Sequence, residues 1–307
     1  MQKQKNIRLL ILLGVLLTAI AIIPMLKNQN GLPVDKKSFT LDQQTVITDV
    51  NLTSAQTNNK LSYINGAWQV NNKYELDPNM RDVFFSVLSQ LEIRKSIAQS
   101  QSDSILNLIK TKGIEVTILN NSEVVKHYFI WGDADTQVSF LMDDNGNGYV
   151  VHIPGYRSFV AGIFEVPESD WRSRRSFTAQ FLNLNSLKIE YPTETLEFKY
   201  KDSFFEIVGI NADSTQLITS LENLLFLQTD QYLVPEEYAK YEVDSLSKQT
   251  PFVIISTTSL TGFEEKVKIY NSKNSQPYYV GLASDSSYCL FNKKRLNSIL
   301  VKKSDFE

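Results

Sequence analysis

Two stretches of this chain follow one order of elements at a nearly constant spacing. KLSYINGAWQVNNKYELDPNMRDVFFSVLSQLEI and TLEFKYKDSFFEIVGINADSTQLITSLENLLFLQ each read as strand, turn, strand, helix. Trp68 and Phe205 stand 137 positions apart, and so do Leu88 and Leu225, and Val116 and Val253. Val138 and Tyr278 differ by 140, and Tyr149 and Tyr288 by 139. An internal duplication is the strongest constraint a sequence offers, because each copy must bury equivalent faces and one architecture has to serve both.

The elements of the repeat follow from periodicity. Met80, Val83, Phe84, Val87, Leu88 and Leu91 recur at helical spacing, which predicts one apolar face. Leu217, Ile218, Leu221, Leu224 and Leu225 do the same, with Asp213 or Ser214 as N-cap. A second helix is expected in each copy, DSILNLIKTKG stopped by Gly113 and PEEYAKYEVDSL starting at Pro235. Alternating runs predict strands over 114–119, 124–131, 137–142 and 148–153, then over 252–257, 264–270, 277–283 and 287–291. Each copy ends in a short helical pattern, YRSFVAGIF or KKRLNSIL. Strands in meander order with helices between them predict an α+β fold, two repeated units of antiparallel sheet with helices packed on one face. The first unit is placed at 38–165, a junction at 166–180, the second unit at 181–301 and a tail at 302–307.

The chain starts MQKQKNIRLLILLGVLLTAIAIIPMLKNQN. Residues 1–8 carry Lys3, Lys5 and Arg8, and residues 9–26 are uncharged. Eighteen helical residues at about 1.5 Å each reach about 27 Å, enough to cross a hydrocarbon core. IIPMLKNQN offers no small-x-small cleavage site, and no cysteine follows for lipidation, so the run reads as an uncleaved signal anchor. The leading basic residues hold the N-terminus in the cytoplasm. Residues 27–37 then form a linker, and residues 35–307 are expected to lie outside the cytoplasmic membrane, in the periplasm of a single-pass protein.

Composition narrows the function classes. Apolar residues make up 42% and charged residues 21%, so a packed core is available. A net charge of −3 argues against nucleic acid, whose recognition needs a strong cationic field. One cysteine, Cys289, permits no internal disulfide, and with two distant histidines the chain lacks a soft-metal ligand set. No cofactor is expected.

One segment stands out against this mildly acidic background. DWRSRRSF, Asp170–Phe177, places Trp171, Arg172, Arg174 and Arg175 where the first copy ends and the second begins. One reading is a joint, with Trp171 wedged between the copies and the arginines paired with Glu165, Glu168 and Asp170 or with strand ends. The other is a partner contact, since Trp and Arg are frequent interface anchors.

The anchor, SFTLDQQTVITDVNL, LSYINGAWQVNNKYELDP, KGIEVTIL, YFIWGD and DWRSRRSF, in that order, resemble the DUF4340 family of bacterial envelope proteins. The resemblance covers residues 38–200 best. It implies an accessory envelope role, because some relatives are fused to or sit beside parts of ABC-type transport systems, among them a gliding-motility protein of Bacteroidota. It implies no catalytic residues.

The remaining chemical candidates are weak. DDNGNG, residues 143–148, fits the start of a calcium loop, but Pro154 stands where the bidentate glutamate belongs and both flanks are strands, so it reads as a hairpin. His127 and His152 have no acidic or serine partner at a motif spacing. The pairs Glu236–Glu237 and Glu264–Glu265 diverge on a regular backbone and read as solvated. No G-x-S-x-G, Walker A loop, H-E-x-x-H or Rossmann fingerprint occurs. The expectation is a membrane-anchored extracytoplasmic binding or scaffold protein rather than an enzyme. Its partners would be the bilayer, through residues 9–26, and envelope proteins such as ABC-type transporter subunits. The alternative is an envelope enzyme or ligand receptor with a pocket between the copies.

Overall fold

The structure, a computed structural model, describes residues 35–42, 44–156, 159–273 and 275–307, together with Leu13, Gly14 and Thr18. The segments 1–8 and 27–34 and the proposed anchor at 9–26 lie outside the described residues but for those last three positions. Those three are helical, and the Thr18 hydroxyl donates to the Gly14 carbonyl at 3.0 Å. Among the described residues no helix is long and apolar enough to cross a membrane.

Among the described residues seventeen strands form two antiparallel sheets. The first contains β1 (Asp49–Thr53), β2 (Asn58–Ile64), β3 (Ala67–Val70), β4 (Tyr74–Glu75), β5 (Glu92–Ser96), β6 (Ile114–Asn120), β7 (Glu123–Asp133), β8 (Val138–Met142) and β9 (Gly148–His152), in the order β4-β3-β2-β1-β6-β7-β8-β9-β5. The second contains β10 (Leu184–Glu190), β11 (Thr195–Lys201), β12 (Phe204–Ile207), β13 (Gln231–Tyr232), β14 (Val253–Ser259), β15 (Glu264–Tyr270), β16 (Tyr278–Leu282) and β17 (Tyr288–Asn292), in the order β12-β11-β10-β14-β15-β16-β17-β13. Apart from the extra edge strand β4, the two orders are the same. Burial repeats as well: β6 and β14 both alternate with their first, third and fifth residues buried, Ile114, Val116 and Ile118 in one and Val253, Ile255 and Thr257 in the other. Alternation of this kind fixes the register, because a slip of one residue would turn the buried set outward.

The helices follow the same scheme. α1 (Pro78–Gln90) buries Phe84 and Leu88, and α4 (Ser214–Leu225) buries Leu217, Leu221, Leu224 and Leu225. Asp213 caps α4, its carboxylate accepting from the Thr215 and Gln216 amides. Val83 and Ile218, assigned above to the apolar faces, are exposed; each sits on the rim of its stripe. α2 (Gln99–Lys112) stops at Gly113, but not through left-handed backbone, since its φ is −72°. A Cβ at Gly113 would stand 2.3 Å from the Ile109 carbonyl oxygen, so the close approach demands glycine.

Three expectations change. The helix read from Pro235 is a 3-10 turn over Pro235–Glu237, then α5 (Val243–Leu246), broken by left-handed Glu242. That segment covers the sheet face opposite α4. Leu233, Val243 and Leu246 pack with Tyr270, Val280 and Leu290, whereas the adjacent Ile269, Cys289 and Phe291 belong to the core under α4. The second sheet is therefore covered on both faces rather than one. Finally, YRSFVAGIF yields a 3-10 turn at Val160–Ile163, with Arg157 and Ser158 outside the described residues, while KKRLNSIL yields α6 (Lys293–Ile299) as expected.

Backbone contacts divide the described chain into two compact units. The first holds residues up to Val46 with Phe85–Val116 and Lys126–Phe164; the second holds Ile47–Phe84, Thr117–Val125 and Glu165–Glu307. In the first, Phe39 packs edge-on to buried Tyr128, and Trp131 stacks on Phe140 with ring centroids 5.7 Å apart. The second contains the whole second sheet, the β1–β4 hairpins and the DWRSRRSF segment.

Candidate functional site

Within the second unit, DWRSRRSF works as a strap. Its first two residues end α3 (Glu168–Trp171), and its backbone is bonded first to the end of β4. The Asp77 amide donates to the Trp171 carbonyl at 2.9 Å, and the Ser173 amide to the Glu75 carbonyl at 2.7 Å. It is then bonded to the chain after α4, through Thr229 N–H to Arg174 O and Ser176 N–H to Leu227 O, each at 2.9 Å. Ladder bonds on this scale satisfy backbone groups that burial would otherwise strand.

This pairing sends the four sequence-selected side chains to different environments. Trp171 is fully buried, edge-on to Phe84 with centroids 5.2 Å apart, and its indole N–H donates to the Val166 carbonyl at 3.0 Å. Arg172 is 7% exposed. Its guanidinium lies between two rings, 3.5 Å from the Tyr74 centroid and 3.7 Å from the Tyr232 centroid. Its two terminal nitrogens donate to Asp285 at 2.6 Å and Ser287 at 3.0 Å. Arg174 is exposed. Arg175 is half-buried, 5.4 Å from the Phe226 ring centroid, and its Nε and Nη2 are closed to solvent without a hydrogen-bond partner among the described residues. Asp285, in the turn between β16 and β17 and more than a hundred residues along the chain, takes the ion pair, so of the two expected kinds of partner Arg172 meets a strand end and not Glu165, Glu168 or Asp170. Glu168 instead accepts from the Asn71 side chain.

The strap forms one wall of a cleft of about 270 Å³. Its lining combines the cations Lys73, Arg172 and Arg175, the carboxylates Glu75, Glu265 and Asp285, and the side chains of Tyr74, Tyr232 and Cys289. Glu265, read from sequence as solvated, is half-buried, and one of its oxygens accepts from both the amide and the hydroxyl of Thr178 at 2.9 Å. Burial pushes the Tyr232 hydroxyl up to about 12, against the pull of the Arg172 charge, and its O–H donates to the Ser173 carbonyl at 2.9 Å. Burial likewise pushes the Cys289 thiol up to about 12, which leaves it a core filler rather than a nucleophile.

Apolar side chains flank this cleft. Phe226 and Leu182 border a hollow that shares Arg175 with it, and Phe263 borders another that shares Thr178 and Glu265. Leu182 is 91% exposed, and Phe226, Leu260 and Phe263 are all more than half exposed. The Leu260 amide donates to the Asn183 carbonyl at 2.7 Å, which ties its turn to the Leu182 turn.

No family model, curated protein or solved structure matches this chain. The reading of the site therefore rests on its geometry.

The first unit holds one further cluster that sequence spacing does not reveal. His127 on β7 meets Glu115 of β6, Nε2 to Oε1 at 3.0 Å, and its Nδ1 meets Asp144 of the β8–β9 turn. Burial pulls the His127 pKa down, but the bonds to Glu115 and Asp144 and their charges outweigh it, so the net shift is upward. His152 lies apart on β9. DDNGNG forms a hairpin turn, in which Asp143 Oδ1 accepts from the Asn145 and Asn147 amides and Oδ2 from the Asn147 side chain at 2.9 Å. Among the described residues no group of three or more His, Cys, Asp and Glu is placed to hold a metal ion.

Proposed function

We propose that this chain is a single-pass, membrane-anchored binding protein whose residues 35–307 work outside the cytoplasmic membrane as an accessory part of an envelope assembly. The anchor is the uncharged run at 9–26, whose three preceding basic residues favour a cytoplasmic N-terminus. The resemblance to the DUF4340 family points to an ABC-type transport system as the assembly.

The observation that carries binding over catalysis is the set of exposed apolar side chains around the Arg175 cleft. Large apolar side chains grouped at one place on a surface, with arginine and aromatic residues among them, are what protein interfaces use. The enzyme or small-ligand reading draws on the same cleft, whose volume of about 270 Å³ lies at the lower edge of the roughly 300–1,000 Å³ usual for ligand sites.

The test is site-specific photo-cross-linking in native membranes from position 182, with Val124, exposed and outside the cleft, as control. The proposal expects one discrete envelope protein attached at 182 and absent at 124. Equal or no attachment at both positions contradicts it.

A further inference from the structure

We propose that the hollow bordered by Arg175, Leu182 and Phe226 receives a carboxylate side chain from the partner polypeptide, held by the side-on fork of Arg175, with apolar residues of the partner seated on Leu182, Phe226 and the nearby Phe263. The inference rests on the docking role proposed above and adds the chemistry of the occupant.

The two nitrogens of Arg175 that lack partners are not an arbitrary pair. Nε and Nη2 form one edge of the guanidinium, the edge whose two parallel N–H groups match the two oxygens of a carboxylate. Arg172 keeps both terminal nitrogens on Asp285 and Ser287, which leaves it a single unpartnered Nε and no two-nitrogen fork to offer. Glu265 bonds Thr178 through Oε2, Asp285 bonds Arg172, and no carboxylate among the described residues accepts from Nε or Nη2 of Arg175. A cation whose donors are shut from water and from protein acceptors is a costly arrangement in the free molecule, and an incoming carboxylate relieves that cost. The ring facing Arg175 is Phe226, itself half exposed, so a partner reaches the fork by displacing a side chain with open space beside it. The exposed apolar residues beside the fork set the second requirement. A free carboxylate leaves Leu182, Phe226 and Phe263 in water, whereas a polypeptide with large apolar residues flanking an acidic one covers them while the fork is filled.

The test pans a displayed random-heptapeptide library against the full chain in lipid nanodiscs, for the natural protein and for Arg175→Gln. The expected result is enrichment of peptides with one Asp or Glu flanked by large apolar residues, lost with Arg175→Gln. The enriched peptide then binds about tenfold or more tighter than its amide counterpart, a ratio that Arg175→Gln brings to one. Leu182→Ser weakens both peptides alike. No enrichment, enrichment without an acidic residue, or an acidic preference that survives Arg175→Gln each overturns the proposal. A stability measurement guards against a purely structural role. Arg175→Met leaves the melting temperature unchanged or raised if the fork is unpaired in the free protein, and a lowered value overturns the proposal. Cross-linking from position 182 that persists in Arg175→Gln removes the carboxylate but leaves the docking role standing.

Discussion

Arg172 and Asp285 are 113 positions apart and form a 2.6 Å ion pair, with the guanidinium clamped between Tyr74 and Tyr232. This pair and the two rings join the hairpin end of the first repeat, the strap and the turn before β17 within one compact unit. Arginine suits the place because its planar cation stacks and donates in the same plane.

Removing Asp285 strands that buried guanidinium. Asp285→Ala is expected to cost about 1–3 kcal/mol, held down because the carboxylate side chain is itself 35% open to water. Arg172→Met combined with Asp285→Ala costs less than the two single changes summed. Arg172→Lys does not restore the loss, since lysine lacks the fork. Urea denaturation of the four variants measures the coupling.

Trp171 fills a fully buried position against Phe84 and satisfies the Val166 carbonyl. Trp171→Ala is expected to cost about 3–5 kcal/mol, because the strap loses its anchor and a large cavity opens. Trp171→Phe costs less, retaining the ring but not the hydrogen bond. Thermal or chemical unfolding followed by circular dichroism reads both.

The His127 cluster predicts a pH dependence of definite sign. With its folded pKa raised above the usual 6.5, protonated His127 binds Glu115 and Asp144 better in the folded state. That contribution is fully present below about pH 6.5 and is lost as pH rises through the folded value above it. The difference in unfolding free energy between the natural protein and His127→Gln is therefore expected to be a few tenths to about 1 kcal/mol at pH 5.5 and to fall toward zero at pH 8.5. A difference that grows with pH contradicts the assignment.

Much of the fold was legible because alternation and duplication reinforced each other. The runs expected at 114–119 and 252–257 became Ile114–Asn120 and Val253–Ser259 with one burial pattern, Asp213 of the two candidates Asp213 and Ser214 caps its helix, and Asn-Gly between alternating strands made a hairpin. What escaped was set by distant parts of the chain. β5 reads EIRKS with a single buried residue, Ile93, and β13 has two residues; both exist because β9 and β17 offer them an edge. The helix expected from Pro235 broke at Glu242, since the segment follows the sheet face it covers rather than its own periodicity. In the site, DWRSRRSF stands out by composition, but local sequence cannot show that Arg172 meets Asp285, that Nε and Nη2 of Arg175 meet no acceptor among the described residues, or that Leu182 and Phe226 share a hollow with Arg175. The carboxylates around His127 were hidden for the same reason, brought in from a neighbouring strand and a turn.

The central claim is that an apolar leading segment places everything after it on the far side of the cytoplasmic membrane. Reporter fusions that fluoresce only in the cytoplasm, and others that become active only outside it, joined at residue 35 and at the C-terminus, measure this directly. The account predicts activity of the outside reporter and darkness of the cytoplasmic one at both positions, lost when residues 9–26 are deleted. A cytoplasmic signal at residue 35 or at the C-terminus of the intact chain contradicts it.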